Sequence, residues 1–123
     1  MLLDTTIFID FLKGKKKIKE FLEKEKNLFT SVVVLMEILA GLKGKKQAKS
    51  FEKFLAESLI TVYHINKQIS SLALDLFKDY FYSSNLGIAD SIIAATAIVY
   101  KEKLVTANIK HFKPVKNLKT RKM

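Results

Sequence analysis

The chain opens on an apolar run, Met1-Leu2-Leu3, passes through Asp4-Thr5-Thr6, and then places Ile7, Phe8, Phe11 and Leu12 at helical spacing. This pattern predicts a short buried strand that delivers Asp4 at its end, followed by a helix capped by Thr5 or Thr6 and closed by Gly14. Ile18, Phe21 and Leu22 mark a basic amphipathic helix, and Leu28-Phe29-Thr30 a second short strand. Ser31 is placed to cap a helix that runs through Leu35, Glu37, Ile38 and Leu39 to Gly41. A further helix is expected over residues 45–58, with Phe51, Phe54 and Leu55 inward. Residues 59–65 are β-branched and aromatic and predict a third strand. Asn66 then caps a long helix carrying Ile69, Leu72, Ala73, Leu76, Phe77 and Tyr80. Residues 83–87 read as the clearest loop. An alanine-rich helix over 89–103, a fourth strand at Leu104-Val105-Thr106 and an edge strand within 115–123 complete the reading. Strands alternating with helices imply an α/β sandwich with a mainly parallel sheet of four to five strands. In such a sheet, Asp4 and Asn108 both stand at carboxyl ends of strands, where working groups gather.

The length of 123 residues suits one domain with a real core, and a single proline with four glycines leaves no room for a long linker. No cysteine is present, which excludes disulfides and thiolate metal sites. No window approaches the roughly 18 uninterrupted apolar residues of a membrane span, and Asp4 interrupts what would be a signal peptide, so a cytoplasmic protein is expected. The 22 Lys and Arg against 12 Asp and Glu leave a formal charge of +10, which favours a polyanionic partner such as nucleic acid. All but one of these cations are lysines, Arg121 being the exception. Lysine suits loose phosphate attraction better than bidentate reading of bases.

Three carboxylates stand isolated in apolar sequence: Asp4, Glu37 within VVVLMEILAG, and Asp90 within IADSIIAATAIV. Each has an ordinary explanation. Asp4 can cap the following helix, Asp90 can complement a helix dipole, and Glu37 can pair with a lysine such as Lys43 or lie on an exposed side. Glu37 is the hardest to explain this way, because burying its apolar neighbours tends to bury or half-bury it too, and an ionised carboxylate there needs compensation. Together the three suggest one shared site holding Mg²⁺ or Mn²⁺, with waters completing the coordination. Such a metal would activate water and neutralise charge on a phosphodiester. Asp10 is a weaker candidate for an outer group of that site. Asp75 and Asp79, beside Lys78, read as a solvated helix face. His64 and His111 lack metal-ligand spacing and read as structural, and GLKGKK lacks the setting of a phosphate-binding loop.

DTTIFIDFL, TSVVVLMEILAGL, IADSIIAATAIVYKEKLVTAN and the IKHF that follows resemble, in that order, the PIN-domain toxins of the VapC type, over about residues 1–115. The resemblance implies a PIN-like, Rossmann-like three-layer sandwich spanning residues 1–123 as one domain, with a basic tail over about 116–123. It also implies a divalent-metal endoribonuclease whose acidic cluster is Asp4, Glu37 and Asp90, with Thr6 and Thr106 ordering it. Asn108 departs from the fullest pattern, in which some relatives carry an aspartate; its amide oxygen can still coordinate or position water. An antitoxin that covers the cleft and a homodimeric state are further implications of the resemblance.

The resulting expectation is hydrolysis of RNA with Mg²⁺ or Mn²⁺, Asp4 and Asp90 as direct ligands and Glu37 as ligand or water-orienting group. The lysines of residues 13–26 and of the tail would hold phosphates. Two rivals stand beside it: a PIN-like RNA-binding module that no longer cuts, and a phosphohydrolase of small esters, which DTT supports poorly because it lacks the second acid of a DxD motif.

Overall fold

Short strands and helices alternate along all 123 residues of the computed structural model. In chain order they are β1 (Leu2–Leu3), α1 (Thr5–Leu12), α2 (Lys16–Lys24), β2 (Phe29–Ser31), α3 (Val32–Gly41), α4 (Lys45–Glu57), β3 (Thr61–Tyr63), α5 (Lys67–Ser84), α6 (Ile88–Val99), β4 (Leu104–Thr106), α7 (Ile109–Phe112) and β5 (Thr120–Lys122). The five strands form one sheet in the order β3-β2-β1-β4-β5, and every neighbouring pair is parallel.

Leu2, Leu3, Leu104, Val105 and Thr106 are all fully buried. Successive strand residues point to opposite faces, so both faces of β1 and β4 are covered by helices and the architecture is a three-layer sandwich. The outer strands carry the exposed positions, among them Thr61, Arg121 and Lys122. From β1 the chain fills one side of the sheet with β2 and β3, then crosses to the other side for β4 and β5. The order therefore reverses between β1 and β4, and the carboxyl ends of these two strands frame the crevice in which α/β sheets hold ligands.

The caps account for where the helices begin. Ser31 accepts from the Val33 amide at 3.1 Å and Asn66 from the Ile69 amide at 2.8 Å. Thr5 and Thr6, expected as caps, lie inside α1; the cap is Asp4, whose carboxylate accepts from the amides of Thr6 and Ile7. Gly14 follows α1 with φ +80°, a left-handed backbone that a glycine adopts without steric cost. Twenty-five apolar side chains form one core. Phe8 of α1 meets Phe51 of α4 edge-on at 5.5 Å and Phe11 stacks on Phe54 at 4.4 Å, which ties the helix after Asp4 to α4.

Several boundaries differ from those that periodicity implied. The third strand shortens to three residues because Leu59 takes φ +56° and is 83% exposed. The loop expected over 83–87 shrinks, since α5 continues to Ser84, Asn85 caps it at φ 58°, and Leu86 is fully buried. The helix over 89–103 ends at Val99, and the edge strand narrows to Thr120–Lys122, parallel to β4. No helix is long and apolar enough to cross a membrane.

Candidate active site

Asp4 stands at the carboxyl end of β1, on the seam with β4, and only 3% of its surface is exposed. The amides of Thr6 (3.0 Å) and Ile7 (3.4 Å) and the Thr6 hydroxyl all donate to its Oδ1. All three of these bonds fall on Oδ1. The Thr6 hydroxyl in turn accepts from the Ala107 amide at 2.9 Å and lies 3.4 Å from the hydroxyl of Thr106, which accepts from the Asn108 amide at 3.0 Å. One short network thus spans the strand ends of β1 and β4. Burial pushes the Asp4 carboxyl above its ordinary value of 3.8, while hydrogen bonds from Thr106, Thr6 and the Ile7 and Thr6 amides pull it back.

Glu37 is exposed, contrary to the burial its apolar neighbours implied. α3 is apolar nearly all round, so its solvent side is set by packing: Val34 and Ile38 turn inward while Met36, at 64% exposure, lies on the open side with Glu37. Its Oε1 accepts from the Thr5 hydroxyl at 2.6 Å, which ties it to the residue after Asp4. Asp90 lies in the first turn of α6, where a negative charge also complements the helix amino end, and its side chain is 33% exposed. Its position thus suits both the helix-dipole explanation and the candidate role. α3 packs against α1 and against α6, so the helix that carries Glu37 neighbours both the helix that follows Asp4 and the helix that carries Asp90. No three acidic or histidine side chains converge closely enough to hold a metal ion by themselves.

Residues 1–117 match the family of the PIN domain. The chain is a PIN domain. It is 33% identical over 117 residues to a protein named Ribonuclease VapC19 from Mycobacterium tuberculosis, covering 90% of each chain. To Ribonuclease VapC1 of Rickettsia felis it is 29% identical over 124 residues, 96% of this chain and 92% of that one. Its fold superimposes with a TM-score of 0.82 on a chain of VapBC2 from Rickettsia felis bound to a promoter DNA fragment, at 26% identity over 99% of this chain and 97% of the other. A chain of DNA-bound VapBC from Salmonella typhimurium gives 0.81 at 16% identity, covering 98% and 96%, a likeness of fold. The PIN-like α/β sandwich expected from the motifs is the one found.

Asn108 precedes α7 in this PIN domain and is exposed, with its side chain making no cap bond. Asp10 pairs with Lys15 at 3.0 Å and takes no part in the Asp4 network. Arg121, the sole arginine, lies over the Phe21 ring at 5.0 Å and 3.9 Å from Glu25. His111, expected to be structural, has its Nδ1 3.3 Å from Asp90 Oδ2, a contact not foreseen from sequence. Its place in IKHF, directly after the fourth strand's end, was the available signal, but spacing alone could not join it to an acid 21 residues away.

The buried carboxylate has a consequence for stability. With its folded pKa above the unfolded one, the folded state retains a proton that the unfolded chain releases, so without divalent cation the Asp4 contribution to stability falls as pH rises from about 3.8 through the folded value. In chelator, the melting temperature of the wild type relative to Asp4→Asn is expected to fall as pH is raised from about 3 to about 7. A difference that grows in favour of the wild type would contradict this sign.

Proposed function

We propose that this PIN domain is a cytoplasmic endoribonuclease that hydrolyses RNA with Mg²⁺ or Mn²⁺, the toxin of a pair in which a VapB-like antitoxin covers the cleft. The observation that carries the reading is the buried Asp4 carboxylate at the β1–β4 crevice, held in place by three donors on Oδ1. An ionised carboxylate in such a place is costly unless a cation compensates it. The surrounding donors are carboxylate, hydroxyl and amide oxygens, which suit a hard divalent cation. Mg²⁺ commonly takes one or two carboxylates and keeps several waters.

Asp4 and Asp90 would be the direct ligands, with Glu37 a ligand or the group that orients the attacking water. The bound cation would supply an activated water and charge neutralisation at the scissile phosphodiester. Thr6 and Thr106 hold Asp4 in one orientation and pull its carboxyl toward the ionised form that binding requires. Asn108 would position water or lend its amide oxygen. Arg121 is committed to Phe21 and Glu25, so the protein's own contribution to phosphate charge comes from lysines, those of α2 and those from Lys110 onward. The names of the relatives and the assemblies of the structural neighbours support the ribonuclease and the antitoxin; a homodimer is part of the same proposal.

A second reading, an RNA-binding module that does not cut, is favoured by Asn108 standing where an acid would add to the site. Incubating antitoxin-free protein with structured RNAs separates the two. Discrete cuts that vanish with EDTA and return with Mg²⁺ or Mn²⁺ are expected; binding that survives chelation with no product in any metal would establish the module instead.

A further inference from the structure

α7 is only four residues long, yet it joins two parts of the site. Its start follows Asn108, whose amide is bound to the Thr106 hydroxyl, and its third residue, His111, reaches Asp90 at the amino end of α6. An ionised carboxylate can only accept, so the hydrogen at this contact is carried by Nδ1, which donates to Asp90 Oδ2. Both side chains are partly open to solvent, His111 at 42% and Asp90 at 33%. Their contact is the one hydrogen bond or ion pair made by the Asp90 side chain.

We propose that His111 is a positioning residue for Asp90. The inference rests on the ligand role proposed above for Asp90. By occupying Oδ2, the imidazole restrains the rotation of the carboxylate and leaves Oδ1, which has no protein partner, in a single orientation. An unrestrained aspartate in the first turn of a helix would exchange rotamers and lose that preference on each exchange. Hydrogen bonds to ligating carboxylates act on metal sites in this way, and their loss typically weakens affinity or activity by about 10–100-fold. The same helix carries the anchor: Phe112, adjacent in sequence, is 2% exposed and keeps the backbone of α7 in place. His111 is thus held by its neighbour and free to serve Asp90, without being needed for the core.

The experiment is Mn²⁺ binding to the full chain without RNA, by calorimetry, for wild type, His111→Ala, His111→Asn, His111→Gln and Asp90→Asn, with a thermal melt of each in chelator. His111→Ala is expected to weaken Mn²⁺ binding by about 10–100-fold with little change in melting temperature, since the ring lies outside the core. His111→Asn, whose amide nitrogen can take the place of Nδ1, is expected to recover most of that loss, and His111→Gln, whose nitrogen takes the place of Nε2, is not. Should His111→Ala melt early, the contrast between the asparagine and glutamine variants decides. Wild-type affinity in His111→Ala, or equal affinity in the asparagine and glutamine variants, with binding lost in Asp90→Asn, overturns the positioning role alone. Mn²⁺ binding that Asp90→Asn leaves unchanged, or that the wild type lacks, overturns the ligand assignment and the positioning role together.

Discussion

Replacing Asp4 by asparagine is expected to reduce metal-dependent RNA cleavage by more than about a hundredfold, because loss of mere supporting partners around a metal already costs about 10–100-fold. The substitution is informative because it spares the fold. Asparagine keeps an oxygen where Oδ1 accepts from Thr6 and Ile7, so α1 retains its cap and the link to Ala107 through the Thr6 hydroxyl survives. What changes is the other side of the group: a charged acceptor becomes an uncharged amide donor, which opposes a cation. In chelator the variant should melt at or above the wild type, because burial disfavours the charge it removes. Adding Mg²⁺ or Mn²⁺ should raise the melting temperature of the wild type and leave that of the variant in place, since a ligand stabilises by about 2.7 kcal/mol at one hundred times its dissociation constant. Near-wild-type cleavage by a folded Asp4→Asn protein would remove Asp4 from the site.

Truncating Phe112 to alanine is expected to cost about 3–5 kcal/mol, the usual range for a buried phenylalanine. That is a large part of the roughly 5–15 kcal/mol that holds a domain of this kind together. Phe112 is 2% exposed and is the only buried side chain of α7. A single turn cannot maintain itself, because helix nucleation is unfavourable and four residues offer almost no propagation. With the anchor gone, α7 should detach, taking His111 away from Asp90 and Asn108 away from the mouth of the crevice. A urea melt should show the lost stability, and cleavage should fall further than the remaining folded fraction accounts for. Phe112→Leu, which keeps much of the volume, should lose less of both. If Phe112→Ala melts within about 1 kcal/mol of the wild type, α7 is held by something other than this side chain.

The two variants probe parts of the site that differed in how readable they were. Asp4 was marked by its setting, a charge between MLL and TTIFI at the end of an apolar run, and the same contrast marked Asp90. Glu37 was marked in the same way, and there the inference about burial failed. Its helix is apolar on nearly every side, so composition could not say which side faces water, and packing against α1 and α6 chose. His111 carried no signal of its own, because its partner comes from another helix and only the fold sets the distance between them. The network that holds Asp4 was legible only as a resemblance: Thr6 lies two residues away, but Thr106 and Ala107 reach it from the far end of the chain.

By itself the sequence determined most of the elements, the caps at Ser31 and Asn66, the parallel α/β class, and the three isolated acids. These follow from local causes: side-chain periodicity, the acceptors at Ser31 and Asn66, and the solvation cost of a charge among apolar neighbours. The tertiary structure decided the strand order β3-β2-β1-β4-β5, and with it that the reversal point falls between the strands ending at Asp4 and Thr106. It also decided that Asp4 is buried while Glu37 is open, and that His111 meets Asp90. Those outcomes depend on which surfaces close over one another across about a hundred residues of chain, a choice made by the packing of the whole core rather than by any local segment.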